Sequence, residues 1–385
     1  MKTTNLIEPD LDFIRSVMET GGQDVKKCYQ CATCSTVCPI SPELKPFPRK
    51  EMIAASWGLK KQLLHDADIW LCHNCGDCST ECPRDAKPAD VMSELRRQAI
   101  IEYAWPKPFA TFLSEPKNLP WVLMIPVLLF ILIGLPTGLL DFTPEGTQIV
   151  HAHFFSTWLV DIVMIPAAAW AFLCIAVGVK RFVHDIHGTA LLEGKTIQKT
   201  LIMKKLYASF ISVLPEIFKH QRFSRCEENQ ERSTLHMMVM FSYIGLFFVT
   251  SVFFVALYVF HNHGPYSQMN PVKWIANVSG AALIIGSGLL IRDRFSKRQQ
   301  QISTYFDWCL AWLVFGIGVT GMATQMARLM GLAVTTYTTY FIHLILVFCS
   351  FAYLPYTKFA HIVFRTVAMT YVKYAGRNFN FDHYD

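Results

Sequence analysis

CYQCATCSTVCP occupies residues 28–39 and CHNCGDCSTECP residues 72–83. Both read C-x2-C-x2-C-x3-C-P, and each cysteine of the first run lies 44 positions before its counterpart in the second. Thiolates at this spacing bind iron–sulfur cubanes: three close cysteines hold one [4Fe–4S] cluster and the fourth reaches across to the other. The expected ligands are Cys28, Cys31, Cys34 and Cys82 for one cluster, and Cys72, Cys75, Cys78 and Cys38 for the second. Pro39 and Pro83 keep a helix from running on past each fourth ligand. Other uses of clustered cysteine fit less well. A disulfide framework needs an oxidising compartment, and the opening MKTTNLIEPD has no apolar export core. Zinc sites pair C-x2-C units across a longer gap, without the triplet and the C-P ending. A chain holding two cubanes moves single electrons.

Working outward, the composition changes near residue 118. Before it the chain is charged and soluble in character; after it apolar runs dominate, which is how 52% hydrophobic residues coexist with only 17% charged. Six runs, at 119–140, 154–179, 237–260, 274–291, 308–327 and within 333–357, reach the roughly 20 apolar residues that a membrane span needs. Asp161 is the only charged residue in them. The expected fold is all-α: a two-cluster ferredoxin-like head at 1–118, a six-helix membrane bundle at 119–358 and a tail at 359–385.

With the head on the cytoplasmic side, the inside segments 180–234, 292–307 and 358–385 carry 10, 4 and 4 Lys and Arg residues, against only Lys273 and Arg328 outside. That asymmetry satisfies the positive-inside rule and places both termini in the cytoplasm of a multi-pass inner-membrane protein. It also accounts for the net charge of +6 without nucleic acid. Within the long inside loop, 196–220 reads equally as an amphipathic surface helix and as an ordinary solvated one.

Histidines in and beside the spans point to a second cofactor. His343 sits inside an apolar run, where an ionisable group is expensive and usually functional. His361 follows it by 18 residues, five turns of a helix, so both project from one face about 27 Å apart if the helix continues. Two stacked b haems need such a pair, each haem taking a second imidazole from another helix. His236, at the start of the third span, is the inner partner expected for His361. For His343 the candidates are His261, His263, His151 and His153, with His261 preferred although it lies about 37 Å along the helix from His236. His184, His187, His220 and His383 read as interfacial residues. Asp161 reads as a proton-relay residue or as a structural hydrogen bond.

These residues carry a resemblance. IWLCHNCGDCSTECPRDAKPADVMSELRRQA (69–99) resembles the small iron–sulfur subunit of heterodisulfide reductases. RSTLHMMVMFSYIGLFFVT (232–250) and YFIHLILVFCSFAYLPYTKFAHIVFR (340–365) resemble the nitrate-reductase gamma-type cytochrome b family. That family's last helix carries two haem histidines at an 18-residue interval, which implies His343 and His361. The third span departs from the family, having no histidine between Met237 and Phe260. Both parts in one chain resemble the C-subunit family of quinone-interacting membrane-bound oxidoreductases of sulfate reducers. The resemblance implies electron exchange with menaquinone and two soluble flavin- and iron–sulfur-containing partner subunits, serving adenylylsulfate reductase.

No G-x-G-x-x-G dinucleotide fingerprint or G-x-x-x-x-G-K-[ST] phosphate loop occurs, nor any adjacent cysteine pair. Cys174, Cys226, Cys309 and Cys349 read as buried packing. The function expected is electron relay with quinol oxidation or quinone reduction. A heterodisulfide-reductase membrane arm and a haem-free anchor stand as alternatives.

Overall fold

The computed structural model describes residues 8–42, 45–141, 149–220, 225–226, 228, 230–262, 264–297 and 301–377. Among them the protein is all-α, with no strand and only an isolated antiparallel bridge between Leu140 and Phe155. His263 and His383 lie outside the described residues.

The head is built from short helices because its chain must keep turning around two sets of thiols. They are α1 (Leu11–Thr20), α2 (Thr33–Thr36), α3 (Arg49–Ser56), α4 (Lys60–Leu64), α5 (Asp68–Leu71), α6 (Asp77–Thr80), α7 (Pro88–Tyr103) and α8 (Lys107–Ser114). Asp10 caps α1 by accepting from the amide of Phe13 at 2.8 Å, and Gly21 at φ 151° ends it. The apolar face between them, Phe13, Ile14 and Val17, is buried. Pro88 opens α7 in the first turn, where its missing N–H costs nothing.

Six longer helices follow: α9 (Leu119–Thr137), α11 (Thr157–Leu192), α13 (Gln230–Tyr258), α14 (Pro271–Ser296), α15 (Tyr305–Leu329) and α16 (Ala333–Ala352). The short α10 (His151–Phe154) precedes α11, α12 (Met203–Lys219) precedes α13, and α17 (Ala360–Tyr374) closes the chain. All six are long and apolar enough to cross a membrane. Successive crossings put the 149–156 segment, the α13–α14 turn and the α15–α16 turn at the end far from the head.

At 36 residues, α11 is about 54 Å long, well beyond the ~30 Å of a hydrocarbon core. The excess runs into the head, where Phe182, Ile186 and Ala190 join its core. Gly178 lets α7 dock there, since a Cβ would meet the Tyr103 carbonyl oxygen at 2.9 Å. Trp70, Tyr103, Phe182 and Phe364 form one aromatic knot, with centroids 5.1–5.9 Å apart.

Charges tie the same junction. Asp66 receives Lys50 at 2.9 Å and Lys195 at 2.7 Å, and Asp68 receives Arg377 at 2.6 Å. Burial alone would raise the carboxyl of Asp68, but the charges of Lys50, Lys195 and Arg377 hold it below the ordinary carboxylate range. Buried ions persist only when paired in this way.

Two expectations change at the C-terminal end. The helix carrying His343 does not continue to His361: α16 ends at Ala352, a 3-10 turn spans Leu354–Tyr356, and α17 starts afresh at Ala360. Pro355 has no N–H to give and crowds the preceding turn, so the shared-face argument for the two histidines fails. The 359–385 stretch, read as a tail, supplies α17, whose Phe364, Ala368, Tyr371 and Tyr374 are buried in the head's core. Helix α12 lies along α17, where Tyr374 Oη accepts the amide of Ile202 at 3.1 Å.

Candidate functional site

Each run bends through the same backbone conformations. Gln30 and Asn74 have φ of 68° and 57°, and two residues further along Ala32 and Gly76 have 72° and 108°. Left-handed geometry at residues carrying a Cβ is costly, and here it folds each cysteine triplet inward. The result is two cavities. Cys28, Cys31, Cys34 and Cys82 line one; Cys38, Cys72, Cys75 and Cys78 line the other. The chain therefore brings together the two sets of four anticipated from spacing, each fourth cysteine crossing to the other triplet. Amides already point at sulfur, with Asn74 N 3.3 Å from Cys72 Sγ and Ala86 N 3.3 Å from Cys82 Sγ. Four convergent thiols with backbone donors fit a cubane.

The cavities differ in surroundings. The first opens outward: Cys31 is exposed, Cys28 and Cys82 are half-buried, and Tyr29, Arg49 and Arg84 border it. The second faces the bundle, with Cys72, Cys75 and Cys78 all buried. Arg365 of α17 donates to the Cys72 carbonyl at 3.2 Å and meets the His73 ring at 2.8 Å, while Arg96 reaches the same carbonyl at 2.6 Å. Gln301, between α14 and α15, donates to the Cys75 carbonyl at 3.3 Å.

Beyond Arg365 lies the inner histidine group. His361 stands one turn before Arg365 on α17. His220 Nε2 and His236 Nδ1 are 2.8 Å apart. His361 Nδ1 donates to the Lys358 carbonyl, leaving Nε2 with its lone pair free to ligate. Burial pushes His361 down to about 3, so the ring is neutral.

At the far end, His343 Nδ1 lies 3.0 Å from Thr320 Oγ1, whose own proton goes to the Gly316 carbonyl. His343 thus donates through Nδ1 and also keeps Nε2 free. Gly321 leaves α15 without a side chain where the ring approaches; a Cβ there would lie 3.1 Å from His343 Cε1. His261, the preferred partner, is exposed at the end of the third span with φ 52°. His151 is the imidazole brought toward His343. Its ring packs on Tyr340, one turn from His343, at 4.6 Å, and its buried Nε2 has no hydrogen-bond partner among the described residues. Burial first, then the charges of Arg328, Lys273 and His343, push His151 down to about 4. His153 lies exposed in the same turn. Asp161 accepts a hydrogen bond from Tyr258 of α13. The imidazoles at both ends fit haem ligation in donor type and in the free nitrogen they present.

Residues 24–86 match the 4Fe-4S dicluster domain family. Over that stretch the head is similar to a 4Fe-4S dicluster domain. The C-subunit of the H(2):CoB-CoM heterodisulfide,ferredoxin reductase of Methanothermobacter marburgensis is 34% identical over 91 residues, 23% of this chain and 49% of the relative. The second iron-sulfur C-subunit of the CoB--CoM heterodisulfide reductase of Methanocaldococcus jannaschii is 36% identical over 107 residues, 26% of this chain and 57% of the relative. A heterodisulfide reductase C-subunit-like protein of Archaeoglobus profundus is 35% identical over 89 residues, 23% of this chain and 47% of the relative. The chain spans about half the length of the curated relatives it matches. No solved structure matches it. The protein joins a head similar to these iron–sulfur subunits to six membrane-length helices.

Sequence reading passes over three residues around this dicluster domain. His220 reads as interfacial, yet it bonds His236. Arg365 carries no motif, and only the fold sets it between the second cavity and the histidines. Cys226, read as packing, stands beside Cys75 and Asp77, with their ligand atoms within 4.8 Å of one another.

Proposed function

We propose that this protein is the membrane electron-transfer subunit of a quinone-linked oxidoreductase complex. In this reading Cys28, Cys31, Cys34 and Cys82 hold one [4Fe–4S] cluster and Cys72, Cys75, Cys78 and Cys38 hold the other. His236 with His361 and His343 with His151 bind two b haems, which supply one-electron steps between quinol and the clusters. The observation that carries the reading is Arg365, which donates to the Cys72 carbonyl beside the second cavity and stands one turn along α17 from His361. A relay requires its carriers to be neighbours, and this residue joins them.

The order of carriers follows from burial. A cluster held by Cys38, Cys72, Cys75 and Cys78, on the bundle side, would exchange electrons with a haem at the inner histidines; one held by Cys28, Cys31, Cys34 and Cys82, with Cys31 exposed, would exchange them with soluble flavin- and iron–sulfur-containing subunits. The head then lies on the cytoplasmic side of the inner membrane, as the lysine and arginine distribution favours. Menaquinone as the quinone and adenylylsulfate reductase as the terminal partner follow from the family resemblance. The second reading, a membrane arm of a heterodisulfide-reductase-type complex, is favoured by the names of the relatives that match the dicluster domain.

The test is a dithionite-reduced optical spectrum with haem quantification before and after adding a menaquinone analogue. About two b haems per chain, reoxidised by quinone, are expected. Absence of b-type absorbance in protein carrying its iron–sulfur clusters overturns the quinone relay.

A further inference from the structure

Cys226 is the ninth cysteine at a site that needs eight. It belongs to the 225–228 segment that leads into α13, the helix carrying His236. It is 1% exposed. Its Sγ, the Sγ of Cys75 and an oxygen of the Asp77 carboxylate all lie within 4.8 Å of one another. Two hydrogen bonds fix the approach. The Glu228 amide donates to Asp77 Oδ1 at 3.1 Å, and the Gln301 side chain donates to the Cys75 carbonyl at 3.3 Å. Glu228, before α13, and Gln301, before α15, therefore both bond the same stretch of the head.

Cys38, Cys72, Cys75 and Cys78 already supply four thiolates, the full complement of a cubane. Cys226 is surplus to ligation, and a cysteine that binds no iron keeps its proton. An S–H is a weak donor, and an iron-bound thiolate is an acceptor. We propose that Cys226 is a positioning residue for electron transfer: it donates its S–H to the sulfur of Cys75 and raises the midpoint potential of that cluster alone. Hydrogen bonds to cluster sulfurs stabilise the reduced, more negative state, so adding one moves the potential upward. The first cavity is bordered by Tyr29, Arg49 and Arg84, whereas Cys226 stands beside Cys75 and Asp77 of the second. The donor thus widens the difference between two clusters of near-identical motif. It comes from the segment that also delivers the inner histidine, so docking of the bundle and tuning of the nearer cluster are one structural event.

The inference rests on the cluster assignment above, and the test separates the two. Full-length protein in detergent is titrated potentiometrically with electron paramagnetic resonance detection, alongside iron analysis, for the parent, Cys226→Ala and Cys226→Ser. Parent protein with about four irons or fewer overturns the cluster assignment itself. With about eight irons present, Cys226→Ala is expected to keep them and to lower one midpoint potential while the other stays in place. Cys226→Ser retains a hydroxyl donor and is expected to stay close to the parent. If the alanine variant fails to assemble, Cys226→Val fills the space without a donor and is read the same way. Unchanged potentials in a donor-free variant with full iron overturn the proposal. So does loss of half the iron, which would make Cys226 a ligand.

Discussion

His151 and His261 stand at the same end of the bundle and differ in what surrounds their imidazoles. His261 is exposed in a left-handed turn after α13. His151 is packed on Tyr340 with a buried Nε2 that has no hydrogen-bond partner among the described residues. A buried nitrogen without a partner costs about 1–3 kcal/mol, a cost that a metal bond at Nε2 removes. Burial also favours the neutral ring, the form that ligates iron. His151→Ala is therefore expected to lower haem from about two per chain to about one, with cluster iron unchanged, while His261→Ala keeps both haems. Pyridine haemochrome and iron assays on the same samples check this. Loss of a haem in the His261 variant alone would restore the pairing preferred from sequence and would require the α13–α14 turn to fold back over His343.

At the scale of elements, α17 decides how the dicluster domain is held. Its Phe364 stacks on Trp70 at 5.4 Å and meets Phe182 edge-on at the same distance, so three elements remote in sequence share one apolar centre. Trp70 is fully buried. Trp70→Ala is expected to destabilise the head by about 3–5 kcal/mol, the usual cost of emptying a large aromatic site. Denaturant melts followed by cluster absorbance read this, and a midpoint unchanged from the parent would show that the knot does not couple cluster retention to α11 and α17. Little of this junction was legible beforehand. The cysteine spacing and the six apolar runs were, because each is a local property: ligand geometry fixes one and membrane thickness the other. The break between α16 and α17 was not, although Pro355 stood in the sequence, because an apolar run carries no mark for where a helix ends. Cys226, His220 and Arg365 gain their meaning from contacts 16 to 293 residues away, which periodicity does not encode.

For the whole molecule, the distribution of polar groups along the bundle bears on where protons go. Oxidising a quinol yields two electrons and two protons, and the protons need an acceptor beside the ring and a route to water. At the far end, Asp161 is bonded by Tyr258, Tyr340 packs on His151, and Gln325 joins Asn277 at 2.8 Å. A carboxylate inside an apolar span is retained where it works. The inner end carries Lys358, Arg294 and Arg365, the first two paired with the buried Asp307 and the third bonded to the Cys72 carbonyl, so its polar groups are already engaged with one another. On the proposed reading, quinol oxidised at the far end would release its protons there, and its electrons would cross the bundle by way of His343 and His361 toward the cysteine cavities. In vesicles sealed with the dicluster domain outward, quinol-driven reduction of an external acceptor is expected to acidify the lumen. The rate should fall as a lumen-positive potential is imposed, because electrons move outward against it. Asp161→Asn should slow the reaction about 10²-fold, the usual loss when a positioned general base is removed, without changing haem content. Protons appearing in the outer medium would place oxidation at the His236 end, where electrons reach the clusters without traversing the membrane and an imposed potential has no hold on the rate.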